Sequence, residues 1–233
     1  NDSQFDFAIQ DLGYLGIFGG DFRHYQKIHR QIIWANRLSF AKSIGTRKML
    51  YFLGAVDNWL TLSGSRADKQ DNRFDYTAPV DPEGTANYGF QSLTPNLRGF
   101  KYNVRNGSNY VLWNSEVRVP LFAYLVNRPM KSQFLRDFQV IGFFDAGTAW
   151  EVGSPFSKEN RYYTYIYPTP PYEGQAPPVI TRVQYFKNPI VMGYGWGLRS
   201  TLLGYYIKFD WAWGVDSGRR NEGMRYLSLG WDF

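Results

Sequence analysis

The 233-residue chain contains no cysteine, which removes disulfides, thiolate metal sites and thiol catalysis together. It also lacks a long apolar run: mean hydropathy is −0.42, and nothing approaches the ~20 consecutive apolar residues of a membrane helix. No segment shows a convincing amphipathic helical period. The only histidines, His24 and His29, have no nearby carboxylate pattern and suit a loop better than a metal pair. A serine hydrolase, which needs Ser, His and Asp to converge, is not expected, because both histidines lie near one strand end and there is no G-x-S-x-G elbow. Gly193-Tyr194-Gly195-Trp196-Gly197 is glycine-rich but has neither the following Lys nor the strand–turn–helix setting of a phosphate loop. Asp71, Asp75, Asp81 and Glu83 do not have EF-hand spacing and read as solvated loop charges. The chain is therefore expected to be no enzyme and to need no cofactor.

Charge of one sign is in excess, with 26 Lys and Arg against 20 Asp and Glu, but it is not concentrated. No basic run exceeds two residues, as at Arg219-Arg220, so no nucleic-acid partner is expected. The chain starts at Asn1 with neither Met nor a signal-peptide pattern, which leads us to expect a processed chain or a piece of a longer one.

What the sequence does have is aromatic residues: 18 Tyr, 18 Phe and 8 Trp, or 19% of the chain. Such an excess of Tyr and Trp suits a protein with an apolar band between two wet interfaces. The aromatics are distributed with period two. Tyr205, Ile207, Phe209, Trp211 and Trp213 fall on one face of a strand, and Lys208, Asp210, Ala212 and Gly214 on the other. Leu227, Leu229, Trp231 and Phe233 alternate in the same way with Tyr226, Ser228, Gly230 and Asp232. Between Met192 and Thr201, Tyr194, Trp196 and Leu198 oppose Gly193, Gly195 and Gly197, glycines that let another backbone approach closely.

Further strands are read at Tyr14–Tyr25, Ile32–Ala41, Lys48–Asp57, Val111–Leu121 and Leu135–Trp150, with the residues before Gly13 as the tail of one more. Short turns are expected at Ser43–Arg47, Asn127–Ser132 and Leu202–Gly204, and long connections at about 61–109 and 151–188. Alternation of short and long connections is the asymmetry of outer-membrane barrels. The expected fold is all-β, an antiparallel transmembrane β-barrel to which 1–233 contributes about eight strands. If the first long loop enters the lumen, as the resemblance drawn below implies, such a set cannot enclose it, which predicts an open half-wall.

Three motifs add a family. Asn96-Leu97-Arg98-Gly99-Phe100 lies in the first long loop. Asn114-Ser115-Glu116-Val117-Arg118-Val119-Pro120 falls on the next strand, and Phe143-Phe144-Asp145-Ala146-Gly147-Thr148-Ala149-Trp150 ends the one after. With Gly195-Trp196-Gly197-Leu198-Arg199, Tyr51-Phe52-Leu53-Gly54 and the terminal Phe233, this ordered set resembles the BamA/TamA/two-partner-secretion superfamily (bacterial surface antigen family) from about Asp21 onward. The resemblance implies the C-terminal half of a probable sixteen-stranded barrel in the bacterial outer membrane. It also implies a role in outer-membrane protein assembly and insertion or in polypeptide translocation.

Within that resemblance, Arg98, Gly99 and Phe100 form the tip of a loop folded into the lumen. An Arg there must be compensated, and Glu116 and Asp145 are the expected partners. Leu227, Leu229, Trp231 and Phe233 are the expected insertion signal and one side of a seam. The implied partners are outer-membrane lipid, the preceding half-barrel and periplasmic domains of the same or another chain, accessory proteins, and client outer-membrane or secreted polypeptides. The alternatives are a structural barrel anchoring a soluble domain and, less favoured, a soluble all-β binding protein.

Overall fold

The computed structural model describes residues 13–60, 73–75, 88–126, 130–151, 153–158, 162–167, 179 and 181–230. Its main element is a nine-stranded sheet. Seven long strands follow one another in antiparallel pairing: β1 (Leu15–His29), β2 (Ile32–Gly45), β7 (Asn109–Val119), β8 (Gln139–Trp150), β11 (Val191–Leu202), β12 (Tyr205–Asp216) and β14 (Met224–Leu229). Two two-residue strands complete it: β4 (Trp59–Leu60) lies along β14, and β13 (Arg219–Arg220) pairs with β12. Among the described residues the sheet is open, with β1 paired to β2 alone. No described helix is long and apolar enough to cross a membrane.

The connections sort by end. Arg30-Gln31, 120–138 and Leu203-Gly204 join strands at one end; 46–108, 151–190 and 217–223 join them at the other. Leu203 and Gly204 both have positive φ, as do Ser217 and Gly218. Left-handed backbone at both central residues is what a type I′ hairpin turn requires. The 120–138 connection contains two short helices, α1 (Leu121–Leu125) and α2 (Gln133–Arg136), so β8 starts at Gln139 and not at Leu135.

One expected wall strand is not in the wall. After β2 the chain bends at Thr46-Arg47 and runs across a face of the sheet, while β2 pairs directly with β7 from Ile33↔Arg118 to Lys42↔Asn109. Lys48–Leu53 becomes β3, flanked by β5 (Tyr88–Leu93) in parallel and β6 (Arg105–Gly107) in antiparallel orientation. The reason is its pattern: Leu50, Tyr51, Phe52 and Leu53 are consecutive and all buried, whereas a one-sided wall strand alternates. The hairpin turn expected at Ser43–Arg47 is instead at Arg30-Gln31, and the first long connection begins at 46 rather than 61. The second contains a hairpin of β9 (Tyr162–Tyr167) and β10 (Thr181–Phe186).

Burial along the wall strands is inverted relative to a soluble sheet. On β12, Lys208, Asp210, Ala212 and Gly214 are buried, while Phe209, Trp211 and Trp213 on the other face are only partly covered. On β7, Leu112, Asn114 and Glu116 are buried, while Val111, Trp113 and Val117 are exposed. Phe18, Phe22, Leu38 and Trp196 are likewise exposed, and Ser39, Arg199 and Ser228 are buried. The covered face is the one on which the described residues of the 46–108 connection pack. Two apolar clusters form there: Leu53, Leu97, Phe100 and Val104 against Leu112, Ala149 and Val191, and Ala55 and Val56 against Ile141, Phe143, Ala212 and Tyr226.

Candidate functional site

The covered face is built from rungs of directly opposed residues. Asn114, Asp145, Gly193 and Gly214 form one rung across β7, β8, β11 and β12. Glu116, Phe143, Gly195 and Ala212 form the next, and Arg118, Ile141, Gly197 and Asp210 a third, which Tyr226 of β14 extends. In the first two rungs β7 and β8 thus contribute Asn114, Glu116, Asp145 and Phe143, and β11 and β12 contribute only glycine and alanine. That division leaves a shallow seat, and Leu97–Phe100 occupies it.

Arg98 is 2% exposed at its side chain, and its carboxylate partners are as deeply covered. Its Nε and NH2 donate to the two oxygens of Asp145 at 2.8 and 2.7 Å, a bidentate fork. NH1 donates to Glu116 Oε1 at 2.5 Å. The backbone N–H of Arg98 adds a third bond to Asp145 at 3.1 Å, and the guanidinium carbon lies 3.6 Å from the centre of the Phe143 ring. The other oxygen of Glu116 accepts from Arg118 at 3.0 Å from Nε. Two guanidinium groups therefore face two carboxylates, and the buried cluster is neutral. Charge-assisted bonds of this kind are about twice as strong as neutral ones.

The loop backbone is held as tightly as the side chain. Asn114 Nδ2 donates both to the Asn96 carbonyl at 2.7 Å and to Asp145 Oδ1 at 2.8 Å. The Gly99 N–H donates to the Tyr226 hydroxyl at 3.0 Å, and that hydroxyl donates to the Phe100 carbonyl at 2.6 Å. Tyr226 thereby ties the loop tip to β14. Trp59 meets the Tyr226 ring edge-on at 4.8 Å, and Asn58 Nδ2 donates to the Leu229 carbonyl at 3.1 Å. Glycine is required where the backbones meet: a Cβ on Gly193 would lie 1.8 Å from the Arg98 carbonyl oxygen, and one on Gly214 would lie 2.4 Å from that of Gly99. Gly99 itself has φ +95° and faces Gly214, so its lack of a side chain serves both conformation and contact.

Of the residues singled out in the sequence, Arg98, Gly99, Phe100, Glu116 and Asp145 are brought together. Leu227 and Leu229 lie on β14 on the face opposite Tyr226 and Ser228; Trp231 and Phe233 lie outside the described residues. Tyr226, Asn114, Phe143 and Arg118 were not expected as partners of the loop. Asn114 and Phe143 stand within the quoted motifs at strand positions facing Arg98. For Tyr226 the signal was its place on the polar face of the last strand, where a buried Tyr hydroxyl needs a partner. Among the described residues, no three His, Asp or Glu side chains are grouped to hold a metal ion. Chemically the arrangement is a clamp: it positions a loop, and each carboxylate oxygen is engaged by a donor.

Neither a protein-family model, nor a curated protein, nor a solved structure matches the chain.

Proposed function

We propose that the chain is part of a bacterial outer-membrane β-barrel of the assembly and translocation type, with its exposed aromatic face toward lipid and Arg98 pinning a loop inside the lumen. The observation that carries this reading is the inversion of the sheet. A buried ionic cluster lies on one face, and exposed Trp113, Trp196, Phe22 and Leu38 line the other. Outside a membrane that outer face would be a large contiguous apolar patch, a liability for solubility; against acyl chains it is a favourable surface. Low mean hydropathy agrees, because alternate positions face inward.

In this reading the open edge of β1 continues into a preceding half-barrel, and the β14 side is the seam at which a client strand adds by backbone hydrogen bonding, in place of the two-residue β4 that pairs with Leu227 and Ser228. The Tyr226 link favours assembly or translocation over passive anchorage, since it makes loop position depend on the terminal strand. Insertion is tested by reconstituting the protein into lipid vesicles and digesting it with protease. Protection of the β7, β8, β11 and β12 peptides, with cleavage confined to connections, is the expected result. Complete digestion, with the protein free in the aqueous phase, would remove the reading.

A further inference from the structure

The outward face of the terminal hairpin carries a cluster that the loop clamp does not use. Trp211 and Trp213 stack there with ring centres 5.7 Å apart. The Arg225 guanidinium carbon lies 4.7 Å from the Trp211 ring centre, and that of Arg220 lies 5.7 Å from the Trp213 ring centre. A Cβ placed on Gly223 would come within 2.7 Å of Trp211 Nε1 and 2.8 Å of Trp213 Nε1. Both indole N–H groups therefore converge on the irregular segment between β13 and β14. Trp211 Nε1 is buried there and has no acceptor among the described residues. Both arginines are exposed, and neither forms an ion pair among the described residues. Glu222, in the same segment, is exposed as well.

We propose that this notch binds the phosphate of an anionic membrane-lipid headgroup, one that carries no compensating cation of its own as choline does. The inference rests on the outward face meeting lipid, as argued above. The two exposed guanidinium forks supply charged, geometrically paired donors, which is the complement of a phosphate. Arg225 is the one charged residue on the outward faces of β12 and β14. Its long apolar stem can lie along Trp211 while the charged head reaches the headgroup level. The same face continues through Phe209, Ile207 and Leu227, along which the acyl chains of that lipid would lie. This continuity favours a lipid over a free anion, whose binding would leave that surface uncovered.

The test is tryptophan quenching by bromine-labelled lipid. The protein is reconstituted into phosphatidylcholine vesicles containing brominated-acyl phosphatidic acid or, in parallel, the same fraction of brominated-acyl phosphatidylcholine. Signal from distant tryptophans is subtracted with a Trp211→Phe/Trp213→Phe variant. Several-fold stronger quenching by the phosphatidic acid is expected, with the preference lost in Arg220→Gln/Arg225→Gln and the phosphatidylcholine quenching retained. Equal quenching by both lipids in the unmodified protein overturns the headgroup site and leaves the lipid-facing wall standing. No quenching by either lipid overturns the wall, and the site with it.

Discussion

At Arg98 the cost of burying a guanidinium is offset by two carboxylates, and each of those is engaged elsewhere, Glu116 by Arg118 and Asp145 by Asn114. Removing one member leaves the others charged and enclosed, which typically costs ~3–5 kcal/mol and less where water can enter. Arg98→Ala and Asp145→Ala are each expected to release the loop tip to protease. The double variant should be little worse than either single one, because the second deletion removes the charge orphaned by the first. Additive effects in a double-mutant cycle on cleavage rate would show that the pair does not act as a unit. A second titratable group lies in the connection beyond the wall strands. Lys187 is buried, and burial first, then the nearby Arg105 cation, push its ammonium down to about 6 despite the opposing pull of Asp216 and Asp75. An unfolded lysine titrates near ~10.4, so between these values the unfolded segment binds the extra proton. Stability of this region should therefore rise with pH from about 6 toward the unfolded value and be weakest below that range. Hydrogen exchange of residues 187–190 against a Lys187→Met variant checks it: the variant should lose the pH dependence and keep the protection.

Strands β11 and β12 supply a floor with almost no side chains under the loop tip, and that floor makes a prediction of its own. Gly193→Ala puts a methyl group into the Arg98 carbonyl, and overpacking of this kind typically costs ~1–3 kcal/mol. Gly142→Ala is the control, since a Cβ there meets nothing within 4 Å. The first should loosen the loop in a limited-proteolysis assay and the second should not; equal behaviour would mean the loop does not seat on β11 in solution. These glycines were legible in the sequence, because three alternate glycines opposite Tyr194, Trp196 and Leu198 announce a close approach on one face. The wall strands were legible for the same reason, a clean period of two. Lys48–Asp57 reads as a wall strand in the sequence and is not one, because a short apolar run has no period to separate an enclosed strand from a one-sided one. The place of Tyr226 on a polar strand face was legible, but its partner was not: 127 residues separate it from Gly99, and only the sheet register brings the two together. Trp59-Leu60 is too short a segment for any pattern to reveal that it pairs with β14.

For the molecule as a whole, the decisive property is which face of the sheet is wet. Trp113 is 42% exposed, and its β8 neighbour Phe144 meets it edge-on at 5.8 Å on the same outward face. If that face meets water, Trp113→Lys trades a partly exposed aromatic for a soluble side chain, and surface substitutions of this kind usually move stability within about ±0.5 kcal/mol. If it meets acyl chains, the same change places an ammonium against lipid, which costs ~2–4 kcal/mol near the bilayer midplane and little near its edges. The two environments thus differ in magnitude and in dependence on depth. Substituting Lys in turn at Val111, Trp113 and Val117, the exposed positions of β7, samples depth along one strand. Denaturant unfolding from lipid vesicles should give a loss that is largest at the position nearest the midplane and declines toward the strand ends. A flat profile of small changes would mean that the face is solvated, and the exposed aromatic wall would then need a protein partner rather than a bilayer to cover it.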